Sequence, residues 1–375
     1  MDHEKYMRMA LELAAQAEGD GDVPVGCVIV KDGQVIGRGR NRREERGDAT
    51  AHAEVEAIRD ACAHTGSWRL TGCTLYVTLE PCCHQGRQPP CTDAILQAGI
   101  ARVVVGSPDP NPLVAGKGIQ ILRDHGVQVE EGVLRTECDR LNRVFLKYIQ
   151  TGRPYVIMKY AMTLDGKIAA YTGASQWVTG EEARAHVQTL RHRCRAILVG
   201  VGTVIADDPR LTCRLPGGRD PIRVICDTRL RTPLTAQVVT SAGQTPTWIA
   251  TCCAAPERLA PYERAGCKML VLPERAGRVD LNALMDCLGR QEVDSILLEG
   301  GGTLNWSALD QGVVDGVMAY VAPKLFGGRT AKTPVEGRGV DAPAAAIPLK
   351  NTTITQIGAD FLLESEVDRD VYRHH

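Results

Sequence analysis

Residues 74–91 read TLYVTLEPCCHQGRQPPC, and this stretch decides the fold of the first part of the chain. Its first six residues are apolar or β-branched and predict a buried strand over 74–79. Cys91 follows two prolines and begins a short helical pattern over 91–98. A buried strand that runs through a loop into a helix is typical of α/β layers, in which the two kinds of element alternate.

The flanking sequence continues this alternation. Apolar residues recur at helical spacing from Tyr6 to Ala17, which predicts an N-terminal helix. We expect, in order, a strand over 24–30, a hairpin return strand over 35–39, a helix over 51–63 with His52 and Glu54 in its first turn, a strand over 101–105, a helix over 118–125, a strand over 127–130 and a helix over 137–148. Gly152 and Pro154 are a stop signal, so we place a domain boundary near 150.

A second α/β series follows that boundary. The predicted strands lie at 155–161, 196–200, 222–226, 247–251, 268–272, 295–299 and 316–323. A chain of 375 residues exceeds what one hydrophobic core usually supports. We therefore predict two domains, 1–150 and 151–375.

Composition excludes several classes of protein. The 44 basic and 45 acidic residues nearly balance, so nothing in the overall charge points to a nucleic-acid partner or a membrane surface. The run RGRNRREER at 38–46 is interpreted as a solvated loop. The charged N-terminal helix does not resemble a signal peptide, so the 14 cysteines are expected to be reduced in a cytoplasmic protein. No apolar stretch reaches the roughly 18 residues that span a bilayer.

One group of residues matches a catalytic metal site. A zinc ion that activates water needs three protein ligands, an open position and a nearby carboxylate that does not bind the metal. His52, Cys82 and Cys91 are the predicted ligands, and Glu54 is the predicted general acid and base. We expect the helix dipole at Cys91 to favour its thiolate. Cys83 is expected to face away from the metal, because adjacent residues of an extended segment point to opposite sides.

The motifs HAE at 52–54 and EPCCHQGRQPPC at 80–91 resemble zinc deaminases of nucleobases. Their common pattern would place the second cysteine at position 85, where this chain has Gln85. The nine-residue spacing is similar to the bifunctional deaminase/reductases of riboflavin biosynthesis, and SPDPNPLVAGKG at 107–118 extends the likeness. That resemblance implies a cytidine-deaminase-like three-layer domain. It also implies that the 107–118 segment lines the ribose phosphate of the substrate, with contacts at Asp109, Asn111 and Ala115.

Residues 1–80 look more like a tRNA adenosine deaminase. In that family an asparagine eleven residues before the zinc-binding histidine contacts the base, and Asn41 has this spacing. The similarity changes near the shared TLEPC segment at 78–82. Because of this change, the sequence does not decide whether the first domain acts on a pyrimidine ribotide or on adenosine in tRNA.

Residues 151–375 resemble the reductase half of the same riboflavin enzymes, which has a dihydrofolate-reductase-like fold. The likeness rests on KYAMTLDGK at 159–167, SQWVT at 175–179, GVGT at 200–203, LTCR at 211–214 and EGGGTL at 299–304. A strand that ends in glycines and enters a helix lets backbone N–H groups approach phosphate. The resemblance implies NADPH contacts at Ala161, Trp177, Thr203, Asp207, Thr228, Gly301, Gly302 and Thr303. It implies substrate contacts at Ser175, Arg191, Leu211, Arg214 and Glu299, and Lys159 is a further candidate near the reacting carbon.

The sequence therefore predicts a bifunctional enzyme that uses Zn²⁺ and NADPH on a small pyrimidine ribotide. We expect a homo-oligomer, no membrane partner and no nucleic-acid partner. Two alternatives stay open at this point. One is a tRNA adenosine deaminase joined to a reductase half, and the other is a zinc-stabilised regulatory or interaction protein without activity.

Overall fold

A computed structural model describes residues 2–85 and 89–368 of the chain. The chain divides into two compact units, Met1–Thr151 and Gly152–His375. Across the described residues, no helix is long and apolar enough to cross a membrane.

The first unit is built on one sheet with helices on both faces. Its elements are α1 (His3–Gly19), β1 (Gly26–Lys31), β2 (Gln34–Arg40), α2 (Arg43–Arg46), α3 (Ala53–Thr65), β3 (Thr74–Leu79), α4 (Cys91–Ala98), β4 (Arg102–Ser107), α5 (Lys117–Asp124), β5 (Gln128–Glu131), α6 (Arg135–Leu141) and α7 (Arg143–Thr151). The strand order is β2-β1-β3-β4-β5. The β1 strand pairs antiparallel with β2 and β3, and β3, β4 and β5 are parallel.

Successive strand residues face opposite sides of the sheet, and this alternation creates two cores. Val28 and Tyr76 pack with Met7 and Ala10 of α1 on one face. The neighbouring strand residues pack against α3, α4 and α5 on the other face. The predicted three-layer arrangement is confirmed.

The second unit contains a nine-stranded sheet in the order β10-β9-β8-β7-β13-β6-β14-β16-β15. Its strands are β6 (Tyr155–Thr163), β7 (Ala196–Gly200), β8 (Ile222–Cys226), β9 (Thr247–Thr251), β10 (Lys268–Val271), the hairpin β11 (Glu274–Arg275) and β12 (Arg278–Val279), β13 (Ser295–Leu298), β14 (Gly316–Ala322), β15 (Leu349–Ile357) and β16 (Asp360–Val367). Its helices are α8 (Glu181–Arg193), α9 (Val201–Asp207), α10 (Gln237–Thr240), α11 (Pro256–Arg264), α12 (Leu281–Gly289) and α13 (Gly302–Asp310), with a 3-10 turn at Pro343–Ala345.

The strands from β10 to β14 in this order are parallel to one another. The β16 strand pairs antiparallel with both β14 and β15. Helices cover both faces, as buried parallel strands require. The predicted mixed α/β fold of this part is confirmed.

Several predicted elements differ in detail. The helix expected over 51–63 begins at Ala53, and His52 is its extended N-cap residue. The helix expected over 137–148 is two helices that meet at Asn142, whose side chain donates to the carbonyls of Pro24 and Cys138. The strands β15 and β16 were not predicted.

Candidate functional site

The three predicted metal ligands come together. His52, Cys82 and Cys91 each offer one ligand atom, and these atoms lie within 4.8 Å of one another. The Cys91 Sγ lies 3.3 Å from the His52 Nδ1, and the Cys82 Sγ lies 3.9 Å from that same nitrogen. One imidazole and two thiols are a donor set that zinc uses in catalytic sites. The residues present therefore fit a zinc ion with one coordination position left open.

Each ligand lies where an element begins or ends. His52 precedes α3, Cys82 follows β3 after Glu80 and Pro81, and Cys91 is the first residue of α4. The Thr92 N–H donates to the Cys82 carbonyl at 3.2 Å, which joins the loop to the helix. The ends of helices and strands hold the metal-binding atoms more rigidly than an irregular loop would.

The two thiols among the metal ligands are joined by hydrogen bonds and differ in the direction of their pKa shifts. The thiol and the backbone N–H of Cys91 donate hydrogen bonds to the Cys82 sulfur, and these bonds lower the pKa of Cys82 although burial opposes the shift. The pKa of Cys91 is raised well above its ordinary value by the same hydrogen bond and by burial. The first N–H of α4 thus stabilises a thiolate at Cys82. The backbone N–H of Cys91 points at the neighbouring Cys82 sulfur, and the expected effect of the helix dipole on Cys91 itself stays a prediction.

Glu54 is buried in the first turn of α3. Burial and the nearby Cys82 raise its pKa to about 7. A carboxyl group with such a pKa can both accept and donate a proton near neutral pH. It lines the same cavity as His52 and Cys82 but lies outside the group of metal ligands.

The cavity beside the metal ligands has a volume of about 240 Å³. Its wall contains three of the predicted substrate residues, namely Asn41, Asp109 and Asn111. Ala115 is exposed and does not line this cavity. Two residues that follow Cys82 differ from each other. His84 is part of the wall, whereas Cys83 directs its thiol to the Leu113 carbonyl at 3.6 Å and takes no part in the metal group.

Asn41 has a structural task in this wall. Its Oδ1 accepts the Ala53 N–H at 3.0 Å, and its Nδ2 donates to the Val23 carbonyl at 3.0 Å. The first bond fixes the start of α3 and therefore the positions of His52 and Glu54. One N–H of the side-chain amide is left for a substrate.

Glu80 is a residue that sequence reasoning missed. Its buried carboxylate accepts backbone N–H groups of Asp109 at 3.2 Å, Gly116 at 3.0 Å and Ile119 at 3.2 Å. These bonds hold the 107–119 loop against the metal-ligand segment. The sequence did contain a signal for this role, because Glu80 directly follows a fully buried strand. A carboxylate buried at such a position needs several hydrogen-bond donors around it.

A second cavity, of about 600 Å³, lies in the second unit. Seven predicted residues line it: Ser175, Thr203, Asp207, Thr228, Gly301, Gly302 and Thr303. Gly200 and Gly301 are the N-caps of α9 and α13, so two helix N-termini meet the cavity. Such N-termini bind phosphate. The volume and the glycine-capped helices fit a dinucleotide.

Other predicted residues of this unit do not line that cavity: Lys159, Ala161, Trp177, Arg191, Leu211, Arg214 and Glu299. Leu211 is buried in a hydrophobic core, and Arg214 is exposed. The indole of Trp177 is 55% exposed and lies under the Arg184 guanidinium at 4.8 Å. Ala161 lies on β6 opposite Tyr320 of β14.

Lys159, Arg191 and Glu299 form a separate charged cluster. Arg191 donates two hydrogen bonds to the Glu299 carboxylate, at 3.1 and 2.9 Å. Burial alone would raise the pKa of Glu299, but Lys159 and Arg191 lower it to about 2. Burial lowers the pKa of Lys159, and Glu299 opposes that shift. Arg191 is therefore paired with Glu299 in the structure, and its contact with the substrate stays a prediction.

Comparison with known proteins agrees with both units. The family model of the RibD C-terminal domain matches residues 154–363, and the model of the cytidine and deoxycytidylate deaminase zinc-binding region matches residues 1–107. The fold and the two sites thus define a bifunctional enzyme, a zinc deaminase joined to an NADPH-dependent reductase. The chain belongs to the RibD family, the deaminase/reductases of riboflavin biosynthesis.

Relatives and solved structures extend over nearly the whole chain. The riboflavin biosynthesis protein RibD of Actinobacillus pleuropneumoniae is 48% identical over 96% of this chain and 94% of its own length. That of Bacillus amyloliquefaciens is 42% identical over 99% of both chains. Acinetobacter baumannii RibD has a TM-score of 0.82 at 36% identity, covering 98% of this chain and 99% of the other.

These matches bear on the alternatives. Full-length relatives of one family cover the residues on both sides of the TLEPC segment. The tRNA adenosine deaminase alternative for the first unit is not favoured. The prediction of an enzyme is confirmed, so the inactive regulatory alternative is also not favoured.

Proposed function

We propose that residues 1–150 deaminate 2,5-diamino-6-ribosylamino-4(3H)-pyrimidinone 5′-phosphate and that residues 151–375 reduce its ribosyl group to ribityl. The observation that carries the first half is a buried Glu54 beside one imidazole and two thiols that converge within 4.8 Å. A solved structure from Thermotoga maritima, 35% identical with a TM-score of 0.81, bears the name diaminohydroxyphosphoribosylaminopyrimidine deaminase/5-amino-6-(5-phosphoribosylamino)uracil reductase, which supports this substrate.

In the deamination, His52, Cys82 and Cys91 would hold the zinc ion. Zinc, when bound, makes a water molecule nucleophilic at neutral pH. Glu54 would accept a proton from the attacking water and donate it to the departing amino group, so that ammonia leaves and an oxygen takes the place of that amino group on the ring. The pKa of Glu54, raised to about 7, suits both transfers. Asp109 and Asn111 of the cavity wall would orient the ring and its ribose.

In the reduction, bound NADPH would be the source of the hydride that C1′ of the ribosyl group receives. The C1′–O4′ bond breaks, and O4′ takes a proton to become a hydroxyl. Gly301, Gly302 and Thr303 would bind the dinucleotide phosphates at the α13 N-terminus. Glu299, held by Arg191, would accept hydrogen bonds from the sugar hydroxyls, with Lys159 beside it.

The enzyme acts on a small pyrimidine compound, and we infer that it needs no nucleic acid and works in the cytoplasm. All 14 cysteines are free thiols, which supports a reducing compartment. The homo-oligomer stays a prediction, which light scattering of the purified chain would test.

The decisive experiment supplies the diaminopyrimidine ribotide with and without NADPH and follows ammonia and nicotinamide absorbance. We expect ammonia in both cases and NADPH oxidation that begins only after deaminated product accumulates. If zinc-loaded protein produces no ammonia and oxidises no NADPH, the proposal is refuted. Ammonia without NADPH oxidation would refute the reductase half alone.

A further inference from the structure

The deaminase cavity contains a cation that the proposed mechanism does not use. Among the described residues of its wall, Arg43 is the only arginine or lysine. Its Nε is buried and has no hydrogen-bond partner. Leaving a buried donor of a charged group without an acceptor is costly. Such an atom marks a place where a ligand can provide the acceptor.

Arg43 differs from the other arginines of the 38–46 run, because three of them have carboxylate partners and Arg38 is exposed. Three other arginines of the run form ion pairs: Arg40 with Asp20 at 2.6 Å and Glu45 at 2.8 Å, Arg42 with Glu45 at 2.5 Å and Arg46 with Glu56 at 2.7 Å. Within residues 2–85 and 89–368, Arg43 has no such carboxylate partner. The run is therefore not only a solvated loop, because one of its cations is part of a cavity wall.

The backbone holds Arg43 in place. The buried carboxylate of Asp22 accepts the N–H groups of Glu44 at 3.0 Å and Glu45 at 3.2 Å, and these residues directly follow Arg43. The Arg42 N–H donates to the Ala51 carbonyl at 2.9 Å, next to the metal ligand His52. The position of Arg43 relative to the metal site is thus built into the fold.

A second polar atom of the same wall also lacks a partner. The Nδ1 of His84 is buried without a hydrogen bond, and His84 lines the cavity together with Arg43. The wall also contains the carboxylates of Glu80 and Asp109, which repel an anion. Among the described residues of this wall, Arg43 is therefore the group best suited to a substrate phosphate that enters the cavity.

We propose that Arg43 binds the 5′-phosphate of the pyrimidine ribotide and thereby makes the deaminase selective for the phosphorylated substrate. The inference rests on the proposed function, because it takes the ribotide as the substrate. A guanidinium group suits this task, since its planar N–H groups match two phosphate oxygens at once.

The test compares the ribotide with the riboside from which the phosphate has been removed. Ammonia release gives kcat/KM for both compounds with the unmodified enzyme and with Arg43→Ala, Arg43→Lys and Arg46→Ala. We expect Arg43→Ala to lower kcat/KM for the ribotide by about 10- to 100-fold and to leave the riboside value unchanged. Arg43→Lys should recover part of the loss. Arg46→Ala is the matched control, because Arg46 lies on the same short helix and does not line the cavity.

Zinc content of each variant shows whether the site has survived the substitution. If Arg43→Ala retains zinc but lowers both values equally, or lowers neither, the inference is overturned and the proposed function stands. If the unmodified enzyme releases no ammonia from the ribotide, the proposed function fails, and this inference fails with it.

Discussion

At the scale of single residues, Glu54 combines burial with a place beside the metal ligands. We expect Glu54→Gln to reduce ammonia release by about 10²- to 10⁴-fold, because glutamine keeps the size of the side chain but cannot carry the proton. Zinc content should not change, since Glu54 is outside the ligand group. Asp93→Asn is the control, because Asp93 is exposed on α4 near Cys91. A Glu54→Gln variant as active as the control would contradict the assigned role.

Cys83 and Cys91 allow a direct test of which cysteine binds the metal. We expect Cys91→Ser to lose zinc on dialysis and Cys83→Ser to keep it, because the Cys83 thiol points to the Leu113 carbonyl. Elemental analysis of both variants measures this. Zinc affinity of the unmodified chain should rise with pH, since the raised pKa of Cys91 means that binding must displace its proton. Equal zinc in both variants would refute the ligand set.

Glu299 balances two buried cations in the reductase unit. We expect Glu299→Gln to lower the free energy of unfolding of that unit by about 3 kcal/mol, because Lys159 and Arg191 would remain buried without their anion. Because the folded-state pKa of about 2 is below the ordinary 4.5, this stabilisation is complete above pH 4.5 and is lost as pH falls toward 2. Denaturant unfolding at several pH values measures it. Glu257→Gln, at an exposed position, should have no such effect.

At the scale of elements, close packing of β2 against α3 sets the position of the metal site. A Cβ on Gly39 would lie 2.2 Å from the Ala53 carbonyl oxygen, in the first turn of the helix that carries Glu54. We expect Gly39→Ala to destabilise the first unit by about 2 kcal/mol and to reduce deamination. Thermal unfolding and ammonia release measure both effects.

Gly19→Ala is the matched control for this prediction. An added Cβ at Gly19 meets no atom within 4 Å, and Gly19 ends α1 in the same unit. A Gly39→Ala variant as stable and as active as Gly19→Ala would show that the β2 and α3 contact does not position the site.

At the scale of the whole molecule, the two chemistries depend on separate groups. We expect a strong chelator to abolish ammonia release from the ribotide and to leave NADPH oxidation with the deaminated substrate unchanged. The reason is that the metal group lies in the first unit, whereas the dinucleotide cavity lies in the second. Parallel assays before and after chelation, with zinc added back, measure this. If the chelator abolishes both activities and added zinc restores both, the expectation that they depend on separate groups is contradicted.

Much of the fold could be predicted from local pattern. The strands β7, β8 and β9 begin and end at the predicted residues, because continuous apolar runs mark buried parallel strands. The strand β15 was missed because KNTTITQ is polar and largely exposed, so its pairing with β16 depends on neighbours rather than on its own hydrophobicity.

The sequence by itself determined the donor set and the proton carrier. The chemistry requires particular side chains at short spacing near the ends of helices and strands. These two criteria identify His52, Glu54, Cys82 and Cys91 from the sequence. Three further features became visible only once the chain was folded: Asn41 fixes the start of α3, Glu80 anchors a distant loop, and Arg43 is part of the cavity wall. These properties depend on hydrogen bonds and burial between residues far apart in the chain, and local sequence does not encode such distances.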